Sequence, residues 1–323
     1  MSPHLRALIV GCGRVGSSYD MRRPDGFPLT HAGAYSAHPR IDFIGGVDTD
    51  ATARAGFERR WGVKAYADLD EALERAPDLV SVATPPVGRG ELVERVRQAA
   101  PRAIWIEKPL AATAAEGQVI VEACREAGVG LQVNFVRRFD SVHQRLVETV
   151  NADGAPLHAE FRFSGTFENF GSHALDLLRW LAGDPVRVEA MRLRDGQPMA
   201  ILTTRDGSSA SMMRVHVGDV TVFDVDILTS QRRVTIAASG EEAGESIVGP
   251  SRHFPGVRLC GLPRAVDTRA GVAPMMAAAD SLVGHVDHGE RLLCDGQDGL
   301  AALRLHEAIL ATARASTALE LAT

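Results

Sequence analysis

Lysine is the scarcest thing in this chain: two residues, Lys64 and Lys108, stand against 33 arginines. Arginine evidently suffices for surface charge, so a lysine that remains is worth a chemical question, because only lysine readily gives up a proton when buried. Lys64 precedes a short strand-like run and reads as surface. Excess positive charge is missing too. The 323 residues carry a formal net charge of −6, with no dense basic cluster, which argues against a nucleic-acid or anionic membrane partner. No run of about 18 apolar residues occurs, so no segment reads as a membrane span. Ala7–Val10 is too short for the core of a signal peptide, and a cytoplasmic protein is expected. Cysteine is sparse: Cys12, Cys124, Cys260 and Cys294 are scattered without a CxxC pair, which argues against a disulfide framework or structural zinc. His285 and His288 flank Asp287 without a third ligand motif, so no metal is expected. There is no GxSxG nucleophile elbow and no GxxxxGK[ST] phosphate loop.

What is present has two textures. Short apolar strands alternate with helices up to about residue 134. The strands are residues 5–10, Ile41–Val47, Val63–Tyr66, Asp78–Ala83, Ala103–Ile106 and Val129–Val133, and the helices Asp50–Arg60, Asp68–Glu74, Gly90–Ala99 and Thr113–Ala127. Apolar strands joined by helices predict a doubly wound parallel sheet buried on both faces. Beyond it come helices at Arg138–Val150 and Gly171–Leu181. Longer alternating strands follow at Leu157–Ser164, Val186–Arg194, Met199–Thr204, Ser209–Val217, Thr221–Leu228 and Arg232–Ala237. Polar turns such as Arg205-Asp206-Gly207 between them favour antiparallel pairing. Residues 240–272 read as loop, and helices are expected at 274–287 and 297–315. The predicted architecture is α/β: a Rossmann domain over 1–134 and an α/β domain with an open, mostly antiparallel sheet over 135–323.

Directly after the first strand stands Gly11-Cys12-Gly13-Arg14-Val15-Gly16, a GxGxxG. Its first glycine makes the tight turn, its second lets backbone approach a pyrophosphate, and its third permits close helix–strand packing. The acidic residue expected about 20 residues later is delayed. Asp48 follows Gly16 by 32 residues. The stretch Ser17–Leu29 does not read as helix, whereas Thr30 offers an N-cap for a helix through Ala37. An insertion of roughly a dozen residues between the phosphate turn and the crossover helix accounts for the delay. Asp48 would accept hydrogen bonds from a ribose. A 2′-phosphate beside it would meet like charge, at about 4 kcal/mol for 4 Å separation in a surface-like dielectric. That favours NAD(H) over NADP(H), a preference Arg54 would soften by reaching back.

Further motifs converge: Val82-Ala83-Thr84-Pro85-Pro86, Glu107-Lys108-Pro109, Asn134-Phe135-Val136-Arg137-Arg138-Phe139-Asp140, Gly171-Ser172-His173-Ala174-Leu175-Asp176, and Cys294-Asp295-Gly296-Gln297-Asp298-Gly299-Leu300. In this order and spacing the chain resembles the glucose–fructose oxidoreductase / inositol dehydrogenase (Gfo/Idh/MocA) family over nearly its whole length. The resemblance implies hydride transfer between nicotinamide and a carbinol or carbonyl carbon of a sugar, cyclitol or related small molecule. It also implies a homodimer or homotetramer formed through the C-terminal sheet. By position Lys108 corresponds to the family's active-site lysine and His173 to its catalytic histidine, while Thr84, Pro85 and Glu107 correspond to cofactor contacts. The chemistry agrees. A histidine suits proton exchange near neutral pH, and an ammonium at the C-terminal end of a parallel strand can hold a developing oxyanion. With Arg14 and Val15 of the glycine turn, these residues make up the expected cofactor site.

The sequence also departs from the family pattern. Asn169 stands four residues before His173, where many members carry aspartate; asparagine can orient an imidazole but supplies no charge. Either another group orients His173, or the acid–base demand is small, or the chemistry is unusual; Glu168 supplies the charge if the loop is shifted by one residue. After Pro86 the family's frequent histidine is replaced by Val87-Gly88-Arg89-Gly90, where Arg89 reads as an exposed helix-start residue, with an anionic-substrate contact as the alternative. Tyr19, Asp20, Arg22, Arg23 and His31 are candidate contacts in and after the insertion, and Asn134 and Arg137 candidate substrate contacts at the domain junction. Two rival functions stay open: a non-redox enzyme using tightly held NAD transiently, in hydrolysis or epimerisation, and a non-catalytic NAD-binding sensor.

Overall fold

A computed structural model describes residues 4–22, 27–154, 156–193, 195–268 and 273–316. Arg23, the side chain of Arg22, Arg194 and residues 269–272 of the expected loop lie outside the described residues. The chain divides into two compact units, Met1–Asp140 with Val272–Leu303, and Ser141–Gly271 with Arg304–Thr323.

In the first unit, strands β1 (Leu5–Val10), β2 (Ile41–Val47), β3 (Ala65–Tyr66), β4 (Leu79–Val82), β5 (Ala103–Ile106) and β6 (Gly130–Val133) form one sheet in the order β3-β2-β1-β4-β5-β6. Every pairing is parallel. This is the Rossmann order, and the topology reverses between β1 and β4. All four residues of β4 and of β5 are buried, as strands covered on both faces require. Helices α1 (His31–Ala37), α2 (Ala51–Trp61), α3 (Leu69–Leu73), α4 (Arg89–Gln98) and α5 (Ala114–Ala127) connect the strands. Their limits follow local chemistry. Side chains of Thr30, Asp50, Asp68 and Thr113 accept amides of the first turns of α1, α2, α3 and α5, and Gly62 and Gly128 end α2 and α5 in the left-handed conformation.

The crossover after β1 is a single helix interrupted by a loop. The amide of Ser17 reaches the carbonyl of Gly13 at 2.9 Å, one helical turn. Then His31 donates to the carbonyl of Val15 at 3.2 Å and Ala32 to that of Gly16 at 2.9 Å. These partners are sixteen positions apart where a helix spaces them by about four, so about twelve residues are looped out and α1 resumes the helix begun by the glycine turn. Asp20, 4% exposed, closes the neck of the loop. Its carboxylate accepts the amides of Leu29 (2.8 Å) and Thr30 (3.1 Å) and the Thr30 hydroxyl (2.5 Å). The expected contact residue Asp20 is thus committed to structure.

The expected boundary at 134/135 moves to 140/141, and residues 272–303 return to the first unit. The helix Pro274–His288 buries Met275, Ala278, Ala279 and Leu282 in this unit's core. Gln132 donates to the carbonyl of Ala278 at 2.9 Å, the Val133 amide to that of Cys294 at 2.9 Å, and Arg138 pairs with Asp298 at 3.1 Å. An amphipathic helix read alone does not say which of two cores its apolar stripe will join.

The second unit has its own core. Helices α6 (Ser141–Ala152) and α7 (Ser172–Ala182) accompany an eight-stranded sheet. Its strands are β7 (His158–Phe163), β8 (Pro185–Arg192), β9 (Pro198–Thr204), β10 (Ser209–Arg214), β11 (Phe223–Leu228), β12 (Arg232–Ala237), β13 (Glu242–Ile247) and β16 (Arg264–Val266), with β14 (Gly249–Pro250) and β15 (Arg258–Leu259) paired apart. The order is β16-β13-β12-β11-β7-β10-β9-β8, antiparallel except for β7 against β10. Strand β7 alternates exposed and buried along its length. The expected loop at 240–272 therefore contains strands. Glu242–Ile247 buries one residue and Arg264–Val266 none, so neither has the alternation that betrays a strand in sequence. No helix among the described residues is long and apolar enough to cross a membrane.

Candidate active site

The carboxyl ends of the parallel strands are stitched into one layer. Gly11 donates to Val47, Ala83 to Val10, Glu107 to Val82 and Asn134 to Ile106, each at 2.8–2.9 Å. In open α/β sheets, ligands bind outside this edge at the switch point. The three glycines differ in what a side chain there would meet. A Cβ on Gly11 would stand 2.8 Å from the Ala83 carbonyl oxygen, and one on Gly16 1.9 Å from that of Gly11, whereas one on Gly13 would meet nothing within 4 Å. Gly11 and Gly16 are thus required by the fold, whereas nothing within 4 Å of Gly13 requires a glycine there. Among the described residues no protein acceptor takes the amides of Gly13, Arg14, Val15 or Gly16. Successive unclaimed amides at the start of a helix suit an anion. The Arg14 guanidinium lies 5.4 Å from the ring of Tyr19, which is 45% exposed.

Asp48 follows β2. Its Oδ2 accepts the Cys12 amide at 2.8 Å and its Oδ1 the Asp50 amide at 2.9 Å, which holds the carboxylate against the glycine turn with lone pairs to spare. Arg54 donates to the carbonyls of Asp48 (2.8 Å) and Thr49 (3.0 Å), so its guanidinium is tied to backbone. Cys12 is buried in the same turn, and desolvation with Asp48 nearby pushes its thiol up to about 12, an inert state.

On the other side of the switch point lie Thr84 and Pro85 after β4, Glu107, Lys108 and Pro109 after β5, and Asn134 after β6. The strand spacing puts Lys108 about 10 Å from the glycine turn. The Oγ1 of Thr84 is buried and unpartnered. Lys108 is half-buried. Burial pulls its ammonium below the ordinary value, Glu107 opposes that, and Arg137 and Arg89 add to it. Arg89 corrects the sequence reading. It is 1% exposed and donates to the backbone carbonyls of Thr84, Glu107 and Pro109. It is therefore neither surface residue nor substrate contact but the tie between the β4 and β5 loops. Desolvation pulls its pKa down to about 10, so it remains a cation at neutral pH.

Behind Lys108 runs a buried network. His31, 0% exposed, is bonded through Nδ1 to Ser81 Oγ and through Nε2 to Glu107 Oε1, both at 3.0 Å. Asn134 Nδ2 donates to the same Glu107 oxygen at 2.5 Å, and Ser81 to Tyr35 at 2.8 Å. The His31 ring lies 4.0 Å from that of Trp105. Both nitrogens of His31 thus face protein groups, away from any open surface. Sequence reasoning missed this network, although Ser81 inside an otherwise apolar strand was a signal for it.

In the second unit, Thr166 opens a wide turn, Phe167–Gly171, with the amides of Phe170 and Gly171 on its carbonyl at 3.0 and 3.5 Å. Such π-turns are frequent at functional sites. Exposed Asn169 sits in it, its amide bonded to Thr166 Oγ1 at 3.2 Å and its carbonyl taking the Ser172 hydroxyl at 2.8 Å. A Cβ on Gly171 would stand 2.8 Å from the Phe167 ring, which explains the glycine before Ser172-His173. His173 is 8% exposed on α7, with Phe223 edge-on at 6.5 Å. Asp176 is 1% exposed on the same helix. Elsewhere, Asp287 pairs with Arg40 at 2.6 Å and His285 meets the Glu290 carbonyl at 2.8 Å, so the His285–His288 segment has structural partners.

Comparison with known proteins adds to this geometry. Residues 5–135 match the model of an oxidoreductase family with an NAD-binding Rossmann fold, GFO_IDH_MocA. The chain is 26% identical over 250 residues to a D-apiose dehydrogenase from Paraburkholderia graminis, covering 71% of this chain and 62% of that protein. It is 28% identical over 197 residues to an inositol 2-dehydrogenase from Ralstonia nicotianae, covering 56% and 55%. The matched segments thus span under two thirds of these relatives. The fold is similar to that of the WlbA dehydrogenase from Bordetella pertussis, solved with NADH and UDP-GlcNAcA, with a TM-score of 0.74 and 22% identity over 96% of this chain and 97% of that one.

Proposed function

We propose that this chain, whose residues 5–135 match the NAD-binding Rossmann domain of the Gfo/Idh/MocA oxidoreductase family, is a dehydrogenase or reductase acting on a carbinol or carbonyl carbon of a sugar, cyclitol or related small molecule. One observation carries the reading: the carboxyl edge of the parallel sheet offers a glycine turn open at Gly13, an acidic acceptor at Asp48 on one side and the half-buried Lys108 on the other. That edge suits a dinucleotide laid across the switch point. The relatives named for apiose and inositol support a polyol substrate.

The nicotinamide of a bound dinucleotide supplies or accepts the hydride. The amides of Gly13 to Gly16 hold the pyrophosphate, with Arg14 adding positive charge beside them. Asp48 accepts the adenine ribose hydroxyls, which favours NAD(H) over NADP(H), and Arg54 is occupied with backbone carbonyls. Thr84, Pro85 and Glu107 flank the nicotinamide half. Lys108 hydrogen-bonds the reacting substrate oxygen and stabilises its developing negative charge. His173 exchanges the proton, with Asn169 orienting it. Tyr19 and Arg137 are the substrate contacts retained from the sequence, whereas the side-chain amide of buried Asn134 is committed to Glu107. Exposed Met191, Ile201 and Met213 on the second unit's sheet support a homo-oligomer formed through that sheet.

The test is fluorescence titration with NADH and NADPH, followed by a polyol and sugar panel read at the NADH absorbance. Tight NADH binding with turnover of a polyol is expected. Failure of cofactor-free protein to bind either nucleotide would overturn the reading.

A further inference from the structure

The buried chain Tyr35–Ser81–His31–Glu107–Asn134 draws on α1, β4, the end of β5 and the residue after β6. Packing alone does not call for it. A buried charged or polar group is costly to desolvate, and apolar residues of similar volume are often as stable or more so. Two of these partners converge on one carboxylate oxygen, Glu107 Oε1, which receives both His31 Nε2 and Asn134 Nδ2. Lys108 is the next residue in the chain.

We propose that His31 is a positioning residue for Lys108: it fixes the Glu107 carboxylate beside the lysine, so that Lys108 stays a cation where the substrate oxygen must be held. This rests on the role given to Lys108 above. The charges bearing on Lys108 come from three places. Arg137, in the turn after β6, and Arg89, at the start of α4, oppose its positive charge, as does burial, and Glu107 favours it. Glu107 in turn is pushed up by its own burial. The His31 hydrogen bond and charge, the Asn134 amide and Lys108 outweigh that and hold it below the ordinary carboxylate value. Without His31, the buried carboxyl would move toward its neutral form, since desolvation disfavours a charge that has lost its donor. Lys108 would then face the guanidinium groups of Arg137 and Arg89 without the charge of Glu107. The neck of the inserted loop serves this arrangement. Asp20 holds Thr30, Thr30 caps α1, and His31 is the first residue of that helix.

The lysine scarcity makes the experiment direct. In a Lys64→Arg background only Lys108 and the N-terminal amine take up ¹³C-methyl groups on reductive methylation, and the Lys108 signal is the one lost in Lys108→Arg. Its pH titration is followed by NMR on the full-length protein without cofactor. Removing an opposite charge within about 4–6 Å moves a pKa by about one unit or more, so Lys108 should titrate at least about one pH unit lower in His31→Leu and in Glu107→Gln. His31→Gln, which keeps an N–H for Glu107, should recover part of the shift. The double variant His31→Leu/Glu107→Gln should fall no further than Glu107→Gln alone, because the two act through one interaction. A Lys108 titration unmoved by His31→Leu, or shifts that simply add in the double variant, would overturn the proposal. Should His31→Leu not fold, Glu107→Gln alone decides: an unmoved lysine refutes it. Failure here leaves NADH binding to be judged by its own titration, and absence of NADH binding would remove the dinucleotide reading whatever Lys108 does.

Discussion

Replacing Asp48 with asparagine tests the cofactor preference at its source. In the native turn the carboxylate accepts the amides of Cys12 and Asp50 at 2.8 and 2.9 Å. Asparagine keeps one oxygen and can hold one of these amides, so the turn survives the change. The charge does not. A hydrogen bond to a charged acceptor is worth about 1.5–3 kcal/mol and a neutral one about 1. NADH should therefore bind about tenfold more weakly, at about 1.4 kcal/mol per decade. For NADPH the like-charge repulsion disappears. Its full value is about 4 kcal/mol at 4 Å in a surface-like dielectric, but Asp48 is half-buried at an open edge and salt screens part of it. A gain of about 1.5–3 kcal/mol, or tenfold to a hundredfold in affinity, is reasonable. The NADPH-to-NADH affinity ratio should then rise by about two to three orders of magnitude, and less at high salt. Fluorescence titration of wild type and Asp48→Asn with both nucleotides at two ionic strengths measures this. A ratio changed less than about threefold would refute the electrostatic argument.

Gly13→Val should leave thermal stability nearly unchanged, because its Cβ enters space with nothing within 4 Å, while weakening NADH binding more than about a hundredfold by blocking the pyrophosphate's approach. Arg89→Met strands three carbonyls, that of Glu107 buried and those of Thr84 and Pro109 part-buried, and should cost about 3–5 kcal/mol. Urea unfolding followed by tryptophan fluorescence reads it, since Trp61 and Trp105 lie in the first unit. Lys108→Met should raise stability at neutral pH while abolishing turnover. The folded lysine holds its proton less tightly than the ordinary 10.5, so between the folded value and 10.5 the unfolded chain binds more protons and wild-type stability climbs with pH. The variant's advantage should shrink over that window in denaturation curves, and a constant advantage would contradict it. Deleting Tyr19–Thr30 to join Ser18 to His31 should yield a folded protein that still binds NADH, as judged by circular dichroism and titration. Loss of the fold would show that the loop does more than interrupt a helix.

The parallel sheet was legible because buried strands are written as apolar runs and their helices carry caps at both ends. Thr30 caps α1 where the sequence expects it, and Thr113 and Gly128 bound α5 at the ends of the expected Thr113–Ala127 helix. The looped-out dozen residues were legible for a different reason: a fixed distance between the glycine turn and the acidic residue is a geometric requirement, so an excess must be extruded. The site's second layer was not legible. Arg89 looks like a surface residue because its partners are backbone carbonyls, which have no sequence signature. The bonds of Glu107 to His31 and Asn134 join residues 76 and 27 positions apart, and no local pattern announces such pairs. Strands β13 and β16 were lost because they bury almost nothing, and hydrophobic periodicity reports only what is buried. The return of residues 272–303 to the first unit is likewise a choice between cores that a helix's own sequence does not encode.

The inserted loop shows why these two kinds of information have to be read together. Taken as sequence, Ser17–Leu29 looks like a candidate lid, with an aromatic ring and several charges near a phosphate turn. Taken as structure, its described stem is committed elsewhere. Asp20 is used up on Leu29 and Thr30, the Ser17 hydroxyl takes the indole N–H of Trp61 at 2.8 Å, and the two helix fragments share hydrogen bonds across the gap. A loop that returns the chain to the same helical register preserves whatever that register was selected to deliver. Here it delivers His31, the first residue after the interruption, to a carboxylate at the end of β5. Closing a loop costs only slowly more as it lengthens, so a helix can bear a long interruption while a single side chain beyond it cannot shift by one position. That asymmetry makes the anchoring of His31, rather than the composition of the loop, the feature on which the role proposed for Lys108 rests.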